Sequence, residues 1–370
     1  MNILYLTNHL NTGGITSYVL TLSIGLKKRG HNIYVASSGG ELLGKVLSEG
    51  INFVPIPIKT KSEIHPKILF SFMKLNKLIR KKNIDIIHAN TRVTQVLAHL
   101  LSRSSGRPYI ATCHGFFKRR FFRLVCPCWG KKTIAISAQV KEHLMRDFNI
   151  PGDSIEVIHN GIDVEKFARL GLQNPGSRLQ AKKSLGLAEG PLVGIIARLS
   201  EVKGHTYLIQ AMEIVCKTVP DAQLVIAGEG KLEKDLRALV SRLGLTKNVF
   251  FIPNTTDTRK ILSAMDVFVL PSLHEGLGLA LMEAMAAGVA VVGSDIGGIK
   301  SLIQHRNNGL LVPPCDAPGL AEAIVELFKD PQKRKLFADS ARDFIAANFS
   351  QEEMIFKTEG AYLTCLGAKN

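Results

Sequence analysis

The sequence predicts an α/β protein of two doubly wound, parallel-sheet domains, each built around its own core. Three observations predict it. Short apolar runs alternate with amphipathic helical patterns along the whole chain, the pattern left by parallel strands joined through right-handed helical crossovers. These runs fall into two sets of six. The length of 370 residues exceeds what one hydrophobic core usually serves.

In the first set, strands are expected at residues 3–7, 32–37, 84–89, 109–113, 132–136 and 155–158. In the second they are expected at 191–197, 222–227, 248–252, 267–270, 290–293 and 309–312. The division between domains is expected near 165–190. There the segment 170–177 gathers Gly171, Asn174, Pro175 and Gly176 into a turn-rich connection. This gives a first domain over 1–170 and a second over 178–349. Ligands of open α/β sheets bind beyond the carboxyl ends of the strands. Two such domains facing each other would put a shared site in the cleft between them.

Composition narrows the function classes. No apolar run is long enough to span a bilayer, and the opening MNILYLTNHL lacks the basic start of a signal peptide and reads as a buried strand. A cytoplasmic enzyme is expected. The six cysteines form no C-x-x-C pair and are read as reduced thiols, with no zinc site. Of the formal charge of +16, nearly all lies in residues 1–170, which hold 25 Lys+Arg against 10 Asp+Glu; the remainder holds 22 against 21. Such a field suits nucleic acid, anionic membrane or an anionic substrate. No zinc finger, RNA-binding aromatic signature or helix-turn-helix is present, so no nucleic-acid partner is expected.

Four segments carry candidate chemistry. After the first strand, Asn8 to Ile15 contains the pair Gly13-Gly14 ahead of a helical pattern. Such a turn either exposes backbone N–H groups to a phosphate or is a plain tight turn. The third glycine of a dinucleotide fingerprint is missing, so NAD is not supported. After the first strand of the second set comes Arg198-Leu199-Ser200-Glu201-Val202-Lys203-Gly204. Its two cations are either diphosphate ligands, a planar fork and a point charge, or solvated surface groups. The run from Leu270 to Gly288 sets Glu275 in a Gly-containing loop and Glu283 within the helix that follows. The helix start can hold phosphate while the carboxylates accept hydrogen bonds from sugar hydroxyls. Otherwise the two glutamates are a cap and a surface residue. Finally, the run from Phe116 to Val125 interleaves aromatics with Lys118, Arg119, Arg120 and Arg123. It is either a surface for anionic lipid headgroups or a half-buried helix with a solvated basic face.

Taken together and in order, these elements resemble retaining GT-B glycosyltransferases, particularly glycosyltransferase family 4 (group 1). Glu275-x7-Glu283, with Gly276 and Gly278 between, resembles that family's E-x7-E motif. Arg198 with Lys203-Gly204 resembles its R-x4-K-G element, and Gly13-Gly14 its N-terminal glycine loop. Asn160-Gly161-Ile162-Asp163 and Ala227-Gly228-Glu229-Gly230 resemble two further turns. The resemblance implies two Rossmann-like domains, with a helix at about 350–370 returning to the first. It implies a nucleotide-diphosphate sugar as co-substrate, UDP-sugars by family frequency, with no cofactor and no metal. Arg198 and Lys203 would bind the diphosphate, and the amides of Gly278 and Leu279 its phosphates. Glu283 would hold the ribose, and Glu275 the transferred sugar near its anomeric carbon. The base would lie at residues 250–254, with Ile252 among the donor-binding positions and Pro253 where the family often has glycine. His114, at the end of a first-domain strand, resembles the histidine placed beside the donor sugar.

The implied reaction is transfer to an acceptor hydroxyl with retained anomeric configuration, through front-face attack and an oxocarbenium-like transition state. That chemistry does without the paired carboxylates of most glycosidases. A glycan or lipid-linked acceptor of the cell envelope is expected, with the enzyme peripheral on the inner face of the cytoplasmic membrane. A nucleotide-sugar 2-epimerase of the same architecture and a transferase acting on a small soluble sugar are the alternatives.

Overall fold

A computed structural model describes residues 1–60, 62–168, 175–253, 255 and 257–367. The chain forms two compact units, Met1–Gly161 with Gln351–Asn370 and Ile162–Ser350.

The first unit holds a seven-stranded sheet of β1 (Asn2–Leu6), β2 (Asn32–Ser37), β3 (Asn52–Pro55), β4 (Ile86–Ala89), β5 (Tyr109–Cys113), β6 (Lys132–Ala135) and β7 (Ile155–Val157). All its pairings are parallel, in the order β3-β2-β1-β4-β5-β6-β7. The sequence reading expected six strands here and missed β3. That strand is short, lies at the sheet edge, begins on exposed Asn52 and ends on Pro55, so its apolar signal is weak and its edge place tolerates the missing donor.

The second unit holds β8 (Leu192–Ile196), β9 (Gln223–Ala227), β10 (Val249–Ile252), β11 (Val267–Leu270), β12 (Ala290–Ser294) and β13 (Leu310–Val312), also parallel, in the order β10-β9-β8-β11-β12-β13. The central strands are buried on both faces, which is why they read as unbroken apolar runs rather than alternations. In both sheets the strand order reverses beside the first strand, at β1/β4 and β8/β11. Those reversals are where open α/β sheets bind ligands.

Of the expected connection at 170–177, residues 170–174 lie outside the described residues; Asn254 and residues 368–370 of the expected returning segment do too. The remainder of the connection opens the helix Pro175–Ser184. The units divide at Gly161/Ile162 rather than near residue 170. Ile162 bridges to Ser350 and donates to the Phe349 carbonyl (3.0 Å), which ties the helix Val164–Ala168 to the second unit. Buried Asp266 fixes the helix Pro175–Ser184. It accepts from Lys182 Nζ (2.8 Å), Arg178 Nη1 (2.9 Å) and the Leu192 amide (2.9 Å).

The helix Gln351–Leu366 belongs to the first unit. Its Met354, Ile355, Ala361, Tyr362 and Cys365 pack into one core with Ile3, Tyr5, Val19 and Leu22. Gly25 sits inside the helix Gly14–Lys28, where glycine costs about 1 kcal/mol against alanine. A Cβ there would lie 2.1 Å from Ile355 Cδ1, so the missing side chain is what lets the returning helix approach.

Candidate active site

The second unit brings the Arg198–Gly204 loop and the loop carrying Glu275 together, because β8 and β11 are neighbours. β8 runs out through Ala197 to Arg198, whose exposed guanidinium has no partner among the described residues. A short 3-10 turn, Glu201–Lys203, then ends on Gly204 in the left-handed region (φ 69°). A Cβ on Gly204 would stand 1.9 Å from the Pro271 carbonyl oxygen, so glycine is required by angle and by space. The Leu273 amide donates to the Val202 carbonyl (2.8 Å) and stitches the two loops. Lys203 Nζ consequently meets Glu275 Oε2 in a close ion pair, although 72 residues separate them. Ser272 Oγ lies 3.5 Å from the same oxygen.

The loop continues into the helix Leu279–Ala286. Its cap is Gly278 (φ 102°), with no side-chain capping bond and no acidic residue in the first turn. The first amides are therefore left to an anion, which the helix dipole favours. Gly298 holds this loop from behind. Its amide donates to the Glu275 carbonyl (3.1 Å), and a Cβ on it would lie 2.1 Å from the Gly276 carbonyl oxygen. Glu283 lies one turn into the helix, half-buried, accepting from Thr258 Oγ1 (2.8 Å). Burial raises its carboxyl above the usual range; the Thr258 bond and nearby Lys166 oppose this only in part. Ile252 ends β10 half-buried and gives its carbonyl to the Gly228 amide (3.0 Å). Sequence reasoning missed Thr258, Ser272 and Gly298. The first two carry only hydroxyls in loops, and Gly298 reads as an ordinary turn.

In the first unit, Gly13 caps the helix Gly14–Lys28 with φ 156° and ψ 163°, a region essentially reserved to glycine. No side chain caps that helix and no acid occupies its first turn, whereas Lys27 and Lys28 face the negative end. Thr12 donates from its amide (3.1 Å) and hydroxyl (2.7 Å) to Glu41, fixing the approach to the glycine pair. His114 follows β5, half-buried, with its ring edge-on to Tyr18 at 4.7 Å. Burial pushes its imidazole down to about 3, so it acts as a neutral group. The Asn90 amide nitrogen faces the Leu6 and His88 carbonyls (both 3.4 Å), which turns Asn90 Oδ1 toward His114 Nε2 (3.4 Å). The ring proton is thereby assigned to Nε2, and Nδ1 is left as an acceptor. Asn90 was readable in principle, since it directly follows β4 at the reversal of strand order.

The segment from Phe116 to Val125 contains a short helix, Phe121–Val125, with Phe121 79% and Val125 67% exposed. Lys118, Arg119 and Arg120 are exposed, but Arg123 is buried, its guanidinium 4.2 Å over the Phe117 ring. The basic surface is thus one cation smaller than the sequence implied. Arg92 binds the Glu63 carboxylate (2.9 Å) and the Cys126 (2.6 Å) and Pro127 (2.7 Å) carbonyls. It so ties this segment to the stretch that leads into the helix Pro66–Lys81. There Ile64, Leu69, Phe70 and Met73 are also exposed, apolar positions the sequence reading did not single out.

Two Rossmann-like parallel sheets, each with a glycine-led helix start beside its strand-order reversal, define a protein of the GT-B class. Residues 177–344 match the family model "Glycosyl transferases group 1" and residues 12–166 match "Glycosyltransferase Family 4". The chain belongs to glycosyltransferase family 4, a retaining family, and is a glycosyltransferase using nucleotide sugars. It is 30% identical over 328 residues to the Escherichia coli UDP-Gal:alpha-D-GlcNAc-diphosphoundecaprenol alpha-1,3-galactosyltransferase, covering 84% of this chain and 83% of that one. It is 30% identical to the phosphatidyl-myo-inositol mannosyltransferase of Mycolicibacterium smegmatis, covering 87% and 83%. The crystal structure of a glycosyltransferase from Rickettsia africae superposes with a TM-score of 0.87 at 23% identity, covering 100% and 99%, a likeness of fold.

Proposed function

We propose that this enzyme transfers a hexose from a UDP-hexose to a hydroxyl of a lipid-linked acceptor in cell-envelope glycan synthesis. The observation that carries the reading is the convergence of Lys203, Glu275 and an uncapped helix start at the β8/β11 reversal. Arg198, Lys203 and the amides of Gly278 and Leu279 meet the diphosphate and the charge that develops as it leaves, so no metal is needed for that task. Glu283 accepts from the ribose hydroxyls, and Ile252 lies at the base. Glu275 supports the sugar near the anomeric carbon. His114 Nδ1 accepts from a sugar hydroxyl. Gly13 and Gly14 offer backbone N–H groups to a phosphate. The leaving phosphate takes the acceptor proton as the new bond forms on the face from which it departs.

The UDP-hexose and the lipid-linked acceptor are supported by what the E. coli relative is named for. The acceptor side draws further support from the exposed apolar and basic residues around Phe121 and Val125. They support a peripheral position on the inner face of the cytoplasmic membrane, by apolar insertion joined to attraction for anionic headgroups. No described helix is long and apolar enough to cross a membrane. The test is a thermal-shift screen with UDP-, GDP- and ADP-sugars, followed by transfer assays with Glu275→Ala. Stabilisation by a UDP-hexose and a loss of turnover of about 100-fold or more are expected. Stabilisation by another nucleotide class alone, or near-wild-type transfer by the variant, overturns the assignment.

A further inference from the structure

Beneath His114 lies a chain of buried hydroxyl and imidazole groups that the proposed reaction does not use. Tyr5 and Tyr362 meet through their hydroxyls at 2.7 Å. Tyr362 bonds His88 Nδ1 at 2.6 Å, and His88 Nε2 bonds Thr112 Oγ1 at 2.6 Å. Thr112 bonds the Tyr18 hydroxyl at 3.1 Å. Thr358, on the same helix as Tyr362, donates its own hydroxyl to the Met354 carbonyl (2.7 Å). Tyr5, Tyr362, His88, Thr112 and Thr358 are all essentially inaccessible to solvent.

A neutral imidazole has one donor and one acceptor, and each hydroxyl has one hydrogen to give. The hydrogens therefore run in one sense throughout, either from Tyr5 through Tyr362, His88 and Thr112 to Tyr18 or the reverse, and in either sense each of the four contacts carries one hydrogen. Burial holds His88 down at about 3 and so keeps it in the required neutral form.

The chain joins three pieces that the sequence sets far apart. Tyr362 comes from the returning helix, and His88 and Thr112 from β4 and β5. Tyr18 comes from the first turns of the helix that Gly13 caps, and its ring stands edge-on against His114. We propose that Tyr362, His88, Thr112 and Tyr18 are positioning residues, through which the returning helix fixes the ring of His114 in its working orientation. This rests on the role given above to His114.

The test is a double-mutant cycle. Tyr362→Phe and Thr112→Val each remove one hydroxyl and little volume; each is made in the wild-type and in the His114→Ala background. Turnover is read from UDP release with a UDP-hexose, and UDP affinity by calorimetry. The expected result is a fall of about tenfold in kcat for each variant in the wild-type background, with KM and UDP affinity changed less than about twofold. In the His114→Ala background the same substitutions add nothing further, and Thr112→Ser restores turnover. Equal losses in both backgrounds overturn the positioning role while leaving His114 its own. Unchanged turnover in His114→Ala alone overturns both. Should Tyr362→Phe fail to fold, the Thr112→Val and Thr112→Ser pair decides the question.

Discussion

Replacing Gly298 with alanine tests the donor loop without removing any polar group. The new Cβ would lie 2.1 Å from the Gly276 carbonyl oxygen, 2.4 Å from its carbon and 2.5 Å from Leu277 Cα. Each is backbone, so no flexible side chain can yield. Real contacts of this kind do not fall below 3.0 Å, so the loop between Glu275 and Gly278 must retreat by about 1 Å. A displacement of that size at a reacting centre costs on the order of 100-fold in rate, roughly 2.7 kcal/mol. The overpacking itself costs about 1–3 kcal/mol of stability, a drop of several degrees in Tm for a unit of this size. Turnover measured by UDP release should therefore fall by about two orders of magnitude in a protein that still melts cooperatively. Gly44→Ala, which meets nothing within 4 Å, serves as the neutral control. A folded Gly298→Ala enzyme within about threefold of wild-type turnover would refute the argument that this loop sets the geometry of catalysis.

Three further outcomes are expected. Asp266→Ala strands buried Lys182 without its counter-charge and should cost about 3–5 kcal/mol in urea unfolding. Burial opposes the ionisation of Asp266, but Lys182 and Arg178 outweigh it and hold its pKa below the ordinary 3.8; its contribution is complete above that value and fades as pH falls through the lower folded one, a dependence that Asp266→Asn should lack. Glu283 has the opposite sign. With its pKa raised above 4.5, its contribution is present below that value and lost as pH rises, so Glu283→Gln should melt higher than wild type at neutral pH without ligand, yet bind UDP about 10- to 100-fold more weakly; equal UDP affinity would remove the ribose role. Phe121→Ser combined with Val125→Ser should cut partition onto vesicles of anionic phospholipid at least tenfold, from about 1.5–3 kcal/mol per large apolar side chain; unchanged co-sedimentation would dismiss this surface as the membrane contact.

The sequence disclosed what periodicity and local spacing encode. Buried parallel strands such as β8, β9 and β11 are continuous apolar runs, and the motif residues announce themselves by following them directly. It did not disclose contacts across long separations. Nothing local marks Lys203 as the partner of Glu275, because the pair exists only through the adjacency of β8 and β11. Tyr5, His88 and Tyr362 read as core residues on apolar elements, and only the fold lines up their polar atoms. β3 was hidden by its brevity and its proline. Pro175 and Gly176 read as a turn, although they open a helix, where proline suits the first turn because its missing N–H has no helical partner to lose.

The split composition of the first unit also sets an order in time. Its core takes Met354, Ile355, Ala361, Tyr362 and Cys365 from the far end of the chain, whereas the second unit is continuous from Ile162 to Ser350. At about 5–20 residues per second a ribosome spends roughly 10–40 s between Gly161 and Gln351. Throughout that interval the nascent first unit has β1 and the helix Gly14–Lys28 exposed along the groove that Ile355 and Tyr362 later fill. The second unit can finish folding while the first still waits for its last helix. The half of the enzyme made first is thus the half completed last, and its apolar surface on the Gly25 face stays open until the returning helix is made.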